Sequence, residues 1–335
     1  MLRLKLRGHA RSLSLLTVSV ASLAACSSGS PIDSESSGGS SAGGNGATDG
    51  GSTSEDGGGA GTASGGDETG GQGGSSRLDC KRGIAYGYHS IPDLKALSKG
   101  VSFWYNWDFR PDEALRSGAY REEDVEYIPM IWGKASDRNA AQTAIPEGAR
   151  YLLGFNEPNF GSQANISAEE AAELWPAIEA VADARELKLV SPAVNFCGGS
   201  CQDTDPFRYL DEFLAACPGC RIDAIAMHIY VGCSPSGDNK AEWLINHVET
   251  YKQRFDKPLW LTEFACDSAK NFDEQQAFLE DAVTYLEAEP RIERYAWFAG
   301  RADNMAFVDL LGEDGTLTSL GEAYVSAAQP SECTR

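Results

Sequence analysis

Eight short apolar segments recur after residue 80, and their number and spacing constrain the fold more than any other feature. They are rich in β-branched and aromatic residues and lie at 82–86, 102–109, 125–132, 151–156, 188–194, 222–230, 259–264 and 294–298. Strands that alternate with helices predict a parallel sheet, and closing eight of them as a barrel leaves no edge strand. A doubly wound open sheet is the alternative, but the first strand-to-helix turn lacks a GxGxxG fingerprint. We therefore expect an α/β fold, a single (β/α)8 TIM barrel.

Amphipathic patterns predict helices between these strands. The clearest patterns lie at 167–186, 239–255 and 272–289. Ser167 and Glu170 fit a capping box at the start of the first helix, whereas Pro176 should kink or split it. The patterns before the third and fourth strands are weak, and we expect one of these connections to be only a turn.

The first 76 residues differ from the rest. Basic residues precede an apolar stretch at 12–23 that is too short to span a bilayer, and Leu23-Ala24-Ala25-Cys26 follows it. This pattern resembles a bacterial lipobox, so we expect residues 1–25 to be a lipoprotein signal peptide and Cys26 to be lipidated. An ordinary secretory signal with an incidental cysteine is the alternative. Residues 26–76 are mostly Gly, Ser, Ala and Thr, which predicts a disordered flexible linker before one folded domain at 77–335.

Charge and the signal pattern restrict the compartment and the partners. The chain has 49 acidic and 28 basic residues, a formal net charge of -21. An acidic surface repels phosphate backbones, so we expect no nucleic-acid partner. We expect a monomer outside the cytoplasm, lipid-anchored to the bacterial cell envelope or secreted, that touches the membrane only through its anchor.

Eight cysteines remain when Cys26 is set aside, and an even number in an exported protein predicts up to four disulfides. A Cys80–Cys333 bridge would join the ends of the domain, but the spacing does not determine the other pairs. A zinc ribbon built from Cys197-x3-Cys201 and Cys217-x2-Cys220 is the alternative. We favour disulfides and expect neither a metal nor a cofactor.

Two glutamates follow predicted strands and are the candidate catalytic pair. Glu157 lies in Gly154-Phe155-Asn156-Glu157-Pro158-Asn159 and Glu263 in Leu259-Trp260-Leu261-Thr262-Glu263-Phe264. Buried glutamates are rare unless they are paired or functional, and the C-terminal ends of barrel strands hold the active site. Strands four and seven would place the two carboxylates across the barrel mouth. Such a pair can cleave a glycosidic bond, one carboxyl as acid and base and the other as nucleophile.

These two motifs resemble glycoside hydrolase family 128, a clan A family of retaining enzymes that are mostly endo-β-1,3-glucanases. The resemblance covers residues 82–326. It implies that Glu157 is the acid/base, that Glu263 is the nucleophile, and that Asn156 holds the 2-hydroxyl of a β-glucan substrate.

Other residues at the predicted strand ends are candidates for substrate binding. His228 and Tyr230 are alternate residues of strand six and could donate hydrogen bonds to Glu263. Trp297 and Trp132 are candidate sugar platforms, and Tyr86 and Asp108 are further candidates. The other tryptophans fit core positions equally well: Trp104, Trp107, Trp175, Trp243 and Trp260.

The function expected from the sequence is hydrolysis of β-1,3-glucan by double displacement. A barrel with the same acids that acts on mannan, xylan or β-1,4-glucan is one alternative. A surface lipoprotein that binds carbohydrate without cleaving it is another, as is a barrel that serves only as an interaction scaffold. The acid pair does not distinguish between the sugars, nor endo from exo action.

Overall fold

A computed structural model describes residues 79–87 and 89–333 of this chain. The predicted signal peptide, Cys26 and the predicted linker lie outside the described residues. All eight predicted strands form: β1 (Arg82–Ala85), β2 (Phe103–Tyr105), β3 (Glu126–Tyr127), β4 (Tyr151–Leu153), β5 (Lys188–Val190), β6 (Ile225–Val231), β7 (Leu259–Cys266) and β8 (Ile292–Phe298).

The strands close into a ring in which the neighbours are parallel. Six strands form one sheet in the order β3-β2-β1-β8-β7-β6, and β4 pairs with β5. A parallel bridge between Met130 and Leu153 joins the chain after β3 to β4. A bridge between Val190 and Ala224 joins β5 to the chain before β6. The predicted (β/α)8 barrel is therefore confirmed.

Helices occupy the outer layer: α1 (Ile91–Leu97), α2 (Arg138–Ala144), α3 (Ala168–Ala184), α4 (Pro206–Ala216), α5 (Glu242–Arg254), α6 (Phe272–Ala288) and α7 (Ser319–Ser326). The connection between β2 and β3 contains two 3-10 turns, Glu113–Leu115 and Ala119–Glu123. The weak pattern before the third strand did predict a turn rather than an α-helix.

The start of α3 matches its sequence pattern in part, but its interior does not. The Ser167 side chain accepts a hydrogen bond from the Glu170 amide at 3.2 Å, but the Glu170 side chain accepts from Lys134, so only the first half of the expected capping box forms. The helix runs without a break through Pro176, so the predicted split is wrong. Trp175, Ile178 and Val181 are fully buried on this helix. Their packing offsets the hydrogen bond that proline cannot make.

Alternate strand residues fill two separate cores. One core lies inside the barrel and includes Phe103, Met130, Tyr151 and Trp260. The other lies between the strands and the helices. A strand residue therefore faces either the barrel interior or the helix layer, and this alternation decides which side chains reach the mouth.

The eight cysteines in the described part form four disulfides: Cys80–Cys333, Cys197–Cys201, Cys217–Cys220 and Cys233–Cys266. The predicted bridge between the domain ends is confirmed. The zinc alternative is wrong, because both of its cysteine pairs are oxidised to disulfides. Among the described helices, none combines the length and the apolar character needed to cross a bilayer.

We expect the Cys80–Cys333 bridge to contribute more stability than the Cys217–Cys220 bridge. The first closes a loop with a sequence separation of 253 and the second one of 3, and a longer loop removes more entropy from the unfolded chain. Replacing Cys80 and Cys333 by Ser should lower the free energy of unfolding by about 2–4 kcal/mol. Urea denaturation checks this, with the Cys217→Ser/Cys220→Ser variant as control. Equal losses in the two variants would contradict the loop-length explanation.

Candidate active site

The two predicted glutamates meet at the mouth of the barrel. Glu157 follows β4 and is 7% exposed, and Glu263 lies on β7 and is 5% exposed. One carboxylate oxygen of each and a ring nitrogen of His228 all lie within 4.8 Å of one another. The fold therefore brings together the acids that the sequence pattern singled out.

An irregularity in β7 turns Glu263 toward the mouth. Before it, Trp260 faces the barrel interior, whereas Leu261 faces the helices. The register with β6 then shifts, because Met227 pairs with Leu261 but the next residue, His228, pairs with Glu263. Thr262 is thus an extra residue, as in a β-bulge, and it reverses the alternation of the strand. Without this shift Glu263 would face the helices, as Leu261 does.

Glu157 is placed by a different backbone departure. Its φ angle is 38°, in the left-handed region that few non-glycine residues adopt. Its amide donates to the Ala193 carbonyl at 2.8 Å, and its carbonyl accepts from the Phe160 amide at 2.9 Å. These bonds hold the residue in a conformation that costs about 1–3 kcal/mol.

Three neutral donors contact Glu263. The Tyr230 hydroxyl donates to one carboxylate oxygen at 2.6 Å, as the sequence predicted. The Tyr105 hydroxyl at 2.9 Å and the Trp107 indole N–H at 2.8 Å donate to the other oxygen. Hydrogen bonds of this kind stabilise the ionised carboxylate and fix its direction.

His228 lies between the two acids. Its Nδ1 is 3.1 Å from Glu157 and 3.3 Å from Glu263, so it contacts both acids rather than Glu263 alone. Burial lowers the pKa of His228, but the charge of Glu263 and the contact with Glu157 outweigh burial and raise it above its ordinary value. The imidazole therefore tends to carry a positive charge between the carboxylates.

The burial of Glu263 raises its pKa above the ordinary glutamate value. The positive charge on His228 acts in the opposite direction, while the negative charge of Glu157 adds to the rise. Hydrogen bonds from Tyr230 and Trp107 lower the pKa and limit the net effect. Burial and the nearby Glu263 charge also raise the pKa of Tyr105 and of Tyr230 well above the usual value, so both stay protonated donors.

These acids and His228 are the one cluster in the described part whose atoms lie close enough for three metal ligands. Both oxygens of Glu263 already accept hydrogen bonds from tyrosine or tryptophan side chains. The cluster therefore fits an acid pair held by donors better than a metal centre.

Three aromatic side chains pack on top of the interior core and form the floor of the mouth. They are Trp107, Trp132 and Phe298, and each is partly exposed. Phe298 meets Trp107 edge-on at 6.0 Å and Tyr230 at 5.7 Å between ring centroids. We call these three side chains the aromatic floor.

Trp297 does not contribute to this floor, so its prediction as a sugar platform is wrong. It is fully buried in the outer core, and its indole N–H donates to the Val308 carbonyl at 2.8 Å. Strand alternation explains the error, because Trp297 faces the helices and Phe298 faces the mouth. The sequence left Trp107 open between a core position and a sugar platform; it lies beyond β2 with a φ angle of 60°, and no sequence pattern marks that turn.

Asn156 lies beside Glu157 and is 3% exposed. Its amide nitrogen donates to Gln163 at 3.4 Å, and no described residue donates to its buried oxygen. The contact of Asn156 with a sugar 2-hydroxyl stays a prediction.

Two weaker candidates lie apart from the acids. Tyr86 belongs to the outer core, and its hydroxyl accepts from Arg301 at 3.2 Å, which argues against a substrate contact. Asp108 is exposed, and its carboxylate accepts from the Arg110 amide at 3.0 Å. A role for Asp108 in binding stays a prediction.

Comparisons with known proteins agree with this geometry. Residues 83–324 match the protein family described as glycosyl hydrolase catalytic core. The chain is similar to a glycoside hydrolase family 128 (subgroup II) endo-β-1,3-glucanase from Sorangium cellulosum, with 65% identity and a TM-score of 0.74 over 75% of this chain and 100% of that one. It is also similar to a subgroup I endo-β-1,3-glucanase of that family from Amycolatopsis mediterranei, solved with laminaritriose, with 29% identity and a TM-score of 0.60 over 74% of this chain and 100% of that one.

One curated relative is longer than the matching region. Alkali-sensitive linkage protein 1 from Schizosaccharomyces pombe is 31% identical over 267 residues, which are 75% of this chain and 45% of the relative. The chain thus spans about half the length of this relative.

We expect the Trp107→Phe variant to raise the pKa of Glu263. The substitution keeps an aromatic ring and removes one donor that stabilises the ionised carboxylate. Infrared or 13C NMR titration of the glutamate side chains measures the change. Trp132→Phe is the matched control, since Trp132 lies on the aromatic floor without a hydrogen bond to Glu263 among the described contacts. A Glu263 pKa that is the same in wild type and Trp107→Phe would contradict the assigned hydrogen bond.

Proposed function

The chain belongs to the glycosyl hydrolase catalytic core family and to glycoside hydrolase family 128, and on that premise we propose that it is a retaining endo-β-1,3-glucanase. The short separation between Glu157 and Glu263 is the observation that carries this proposal. Carboxylate oxygens of the two glutamates lie within 4.8 Å of each other, which fits a retaining pair, whose carboxyl groups lie about 5–5.5 Å apart. An inverting pair needs about 6.5–9.5 Å to hold a water molecule.

The two glutamates differ in their donors, and this difference supports their roles. Glu263 accepts from Tyr105, Trp107 and Tyr230, whereas Glu157 contacts only His228 among the described side chains. Three neutral donors therefore hold Glu263 as an anion in a fixed direction, as a nucleophile requires. Glu157 is then the acid and Glu263 the nucleophile.

In the first step, Glu263 attacks the anomeric carbon while Glu157 gives its proton to the glycosidic oxygen. The bond from the anomeric carbon to that oxygen breaks, and an ester between the sugar and Glu263 forms. In the second step, ionised Glu157 takes a proton from water, and the water oxygen displaces Glu263 from the sugar. Two displacements at one carbon restore its configuration.

The substrate assignment rests on the relatives and on the composition of the mouth. Solved relatives are named as endo-β-1,3-glucanases, and one of them holds laminaritriose. The aromatic floor offers Trp107, Trp132 and Phe298 to the apolar faces of a pyranose, and the free oxygen of Asn156 can accept from its 2-hydroxyl. A neutral glucan also suits an acidic protein.

The cellular setting belongs to the same proposal. The lipobox pattern at Cys26 and the cysteine content support an enzyme outside the cytoplasm, attached to the cell envelope by lipid or secreted. The buried disulfide Cys233–Cys266 at the ends of β6 and β7 also suits an oxidising compartment.

Replacing either glutamate should strongly reduce turnover of soluble β-1,3-glucan, for a different reason in each variant. Glu263→Ala removes the nucleophile, and Glu157→Ala removes the proton donor, a loss of about 10²–10⁴-fold. On a laminarioligosaccharide with an aryl leaving group that departs without a proton, azide should attack the glycosyl ester of Glu157→Ala and give the β-glycosyl azide, whereas in Glu263→Ala azide should displace the leaving group directly and give the α-azide. Product NMR distinguishes the anomers, and exchanged configurations would reverse the assigned roles.

Hydrolysis of other polysaccharides by the wild type, with β-1,3-glucan untouched, would keep the mechanism and reject the substrate. Binding of β-1,3-glucan without any cleavage would instead favour a carbohydrate-binding protein. Wild-type products that invert their configuration, followed by NMR during the first turnovers, would reject double displacement.

The pH profile should reflect the raised pKa of Glu263. Attack requires ionised Glu263, so activity should fall as the pH drops through that pKa, above the ordinary glutamate value of 4.5. His228→Gln removes a positive charge that lowers this pKa, so the acidic limb of kcat/KM should move to higher pH. An acidic limb that moves to lower pH in His228→Gln, with the thermal melting profile retained, would contradict this electrostatic role.

A further inference from the structure

Four large apolar side chains in the described part are exposed over 42–44% of their surface: Ile91, Phe196, Trp243 and Phe272. Each lies on a connection that follows the C-terminal end of a strand or at the start of the next helix. In a (β/α)8 barrel this is the face that carries the active site. Large exposed apolar side chains of the described part are therefore concentrated on the face of the barrel that carries the acid pair.

Trp243 differs from the two exposed phenylalanines. The Phe196 ring lies 5.0 Å from His247, and the Phe272 ring lies 5.2 Å from Phe307, so both are partnered. Trp243 forms no ring pair with a described residue, and no described residue accepts from its indole N–H. Both its ring and its donor are available to a ligand.

The Trp243 indole packs against Gly232, which we call its seat. A Cβ atom on Gly232 would lie 2.6 Å from the six-membered ring of Trp243 and 3.0 Å from the Ser268 hydroxyl. Gly232 directly follows β6, two residues after Tyr230, so by strand alternation its open side faces the same way as the Tyr230 side chain. The indole therefore lies over the end of β6, next along the strand from the tyrosine that contacts Glu263.

The seat is also rigidly supported. Cys233 and Cys266 join the ends of β6 and β7 by a disulfide. Buried Gln275 bonds the backbone of Cys266 twice, accepting from its amide and donating to its carbonyl, both at 3.1 Å. An exposed tryptophan on a fixed seat loses little conformational entropy when it binds a ligand.

We propose that Trp243 is an outer sugar platform that binds a glucose ring of the β-1,3-glucan chain beyond the rings on the aromatic floor. The indole stacks on the C–H face of the pyranose, and its N–H donates to a sugar hydroxyl. The site rests on the proposed function for its occupant, because the same chain must run from the acid pair past Tyr230 to reach it. It makes Trp243 a determinant of chain-length preference rather than of bond cleavage.

Chain-length dependence tests this platform. Trp243→Ala should lower kcat/KM for laminarihexaose about fivefold, in the range expected for loss of one aromatic contact, and leave kcat/KM for laminaritriose unchanged. Trp243→Phe should recover part of the loss. Phe272→Ala, which removes an equally exposed ring on the same face, should match the wild type on both substrates. Equal losses on the two substrates, or no loss on either, would overturn the proposal.

Binding measurements separate this inference from the proposed function. Titration calorimetry of laminarihexaose with Glu263→Gln should show weaker binding when Trp243→Ala is added. If the wild type binds laminarihexaose through Trp243 but cleaves nothing, the platform stands and the hydrolase proposal fails. If the wild type cleaves β-1,3-glucan and Trp243→Ala changes neither binding nor chain-length preference, the platform alone is rejected.

A second variant tests the seat without removing the indole. Gly232→Ala places a methyl group against the Trp243 ring, so the ring must move. We expect the same selective loss on laminarihexaose, with laminaritriose turnover and the pH profile retained. Wild-type activity of Gly232→Ala on laminarihexaose would contradict the fixed-seat geometry.

Discussion

The active site depends on the alternation of side chains along barrel strands and on two departures from it. Strand geometry sends neighbouring residues to opposite faces, so a carboxylate reaches the mouth only if its position has the correct parity. The extra residue Thr262 turns Glu263 inward, and the left-handed backbone of Glu157 turns the chain after β4. Packing of the two cores holds both irregular segments in place. The distance between the two carboxylates is therefore a property of the backbone as much as of the acids.

Glu157 and Glu263 have the same side chain but different electrostatic surroundings. The acids share His228, but only Glu263 receives hydrogen bonds from two tyrosines and an indole. Neutral donors hold an anion without bringing a full opposite charge, so burial still raises the pKa of Glu263. Burial, the charge on His228 and the hydrogen bonds from neutral donors therefore act together on the pKa of Glu263.

Much of this could be predicted from the sequence, because strand residues are strongly patterned. The eight strands, the pairing of Glu157 with Glu263 and the contact from Tyr230 all follow from apolar runs and their ends. The sequence does not show which residue of β8 faces the mouth. Trp297 and Phe298 are both aromatic, and only the register of the strand distinguishes them. The place of Trp107 stayed open for a related reason, because no sequence pattern marks the left-handed turn in which it lies.

The bridge between Cys80 and Cys333 determines what a proteolytic cut does to the chain. It joins the segment before β1 to the segment after α7, so the backbone and the disulfide together form one closed loop around the whole barrel. A protease that cuts a single surface connection opens this loop but releases no fragment. The two halves remain attached and aligned, and the nicked barrel can keep the acids of β4 and β7 in register.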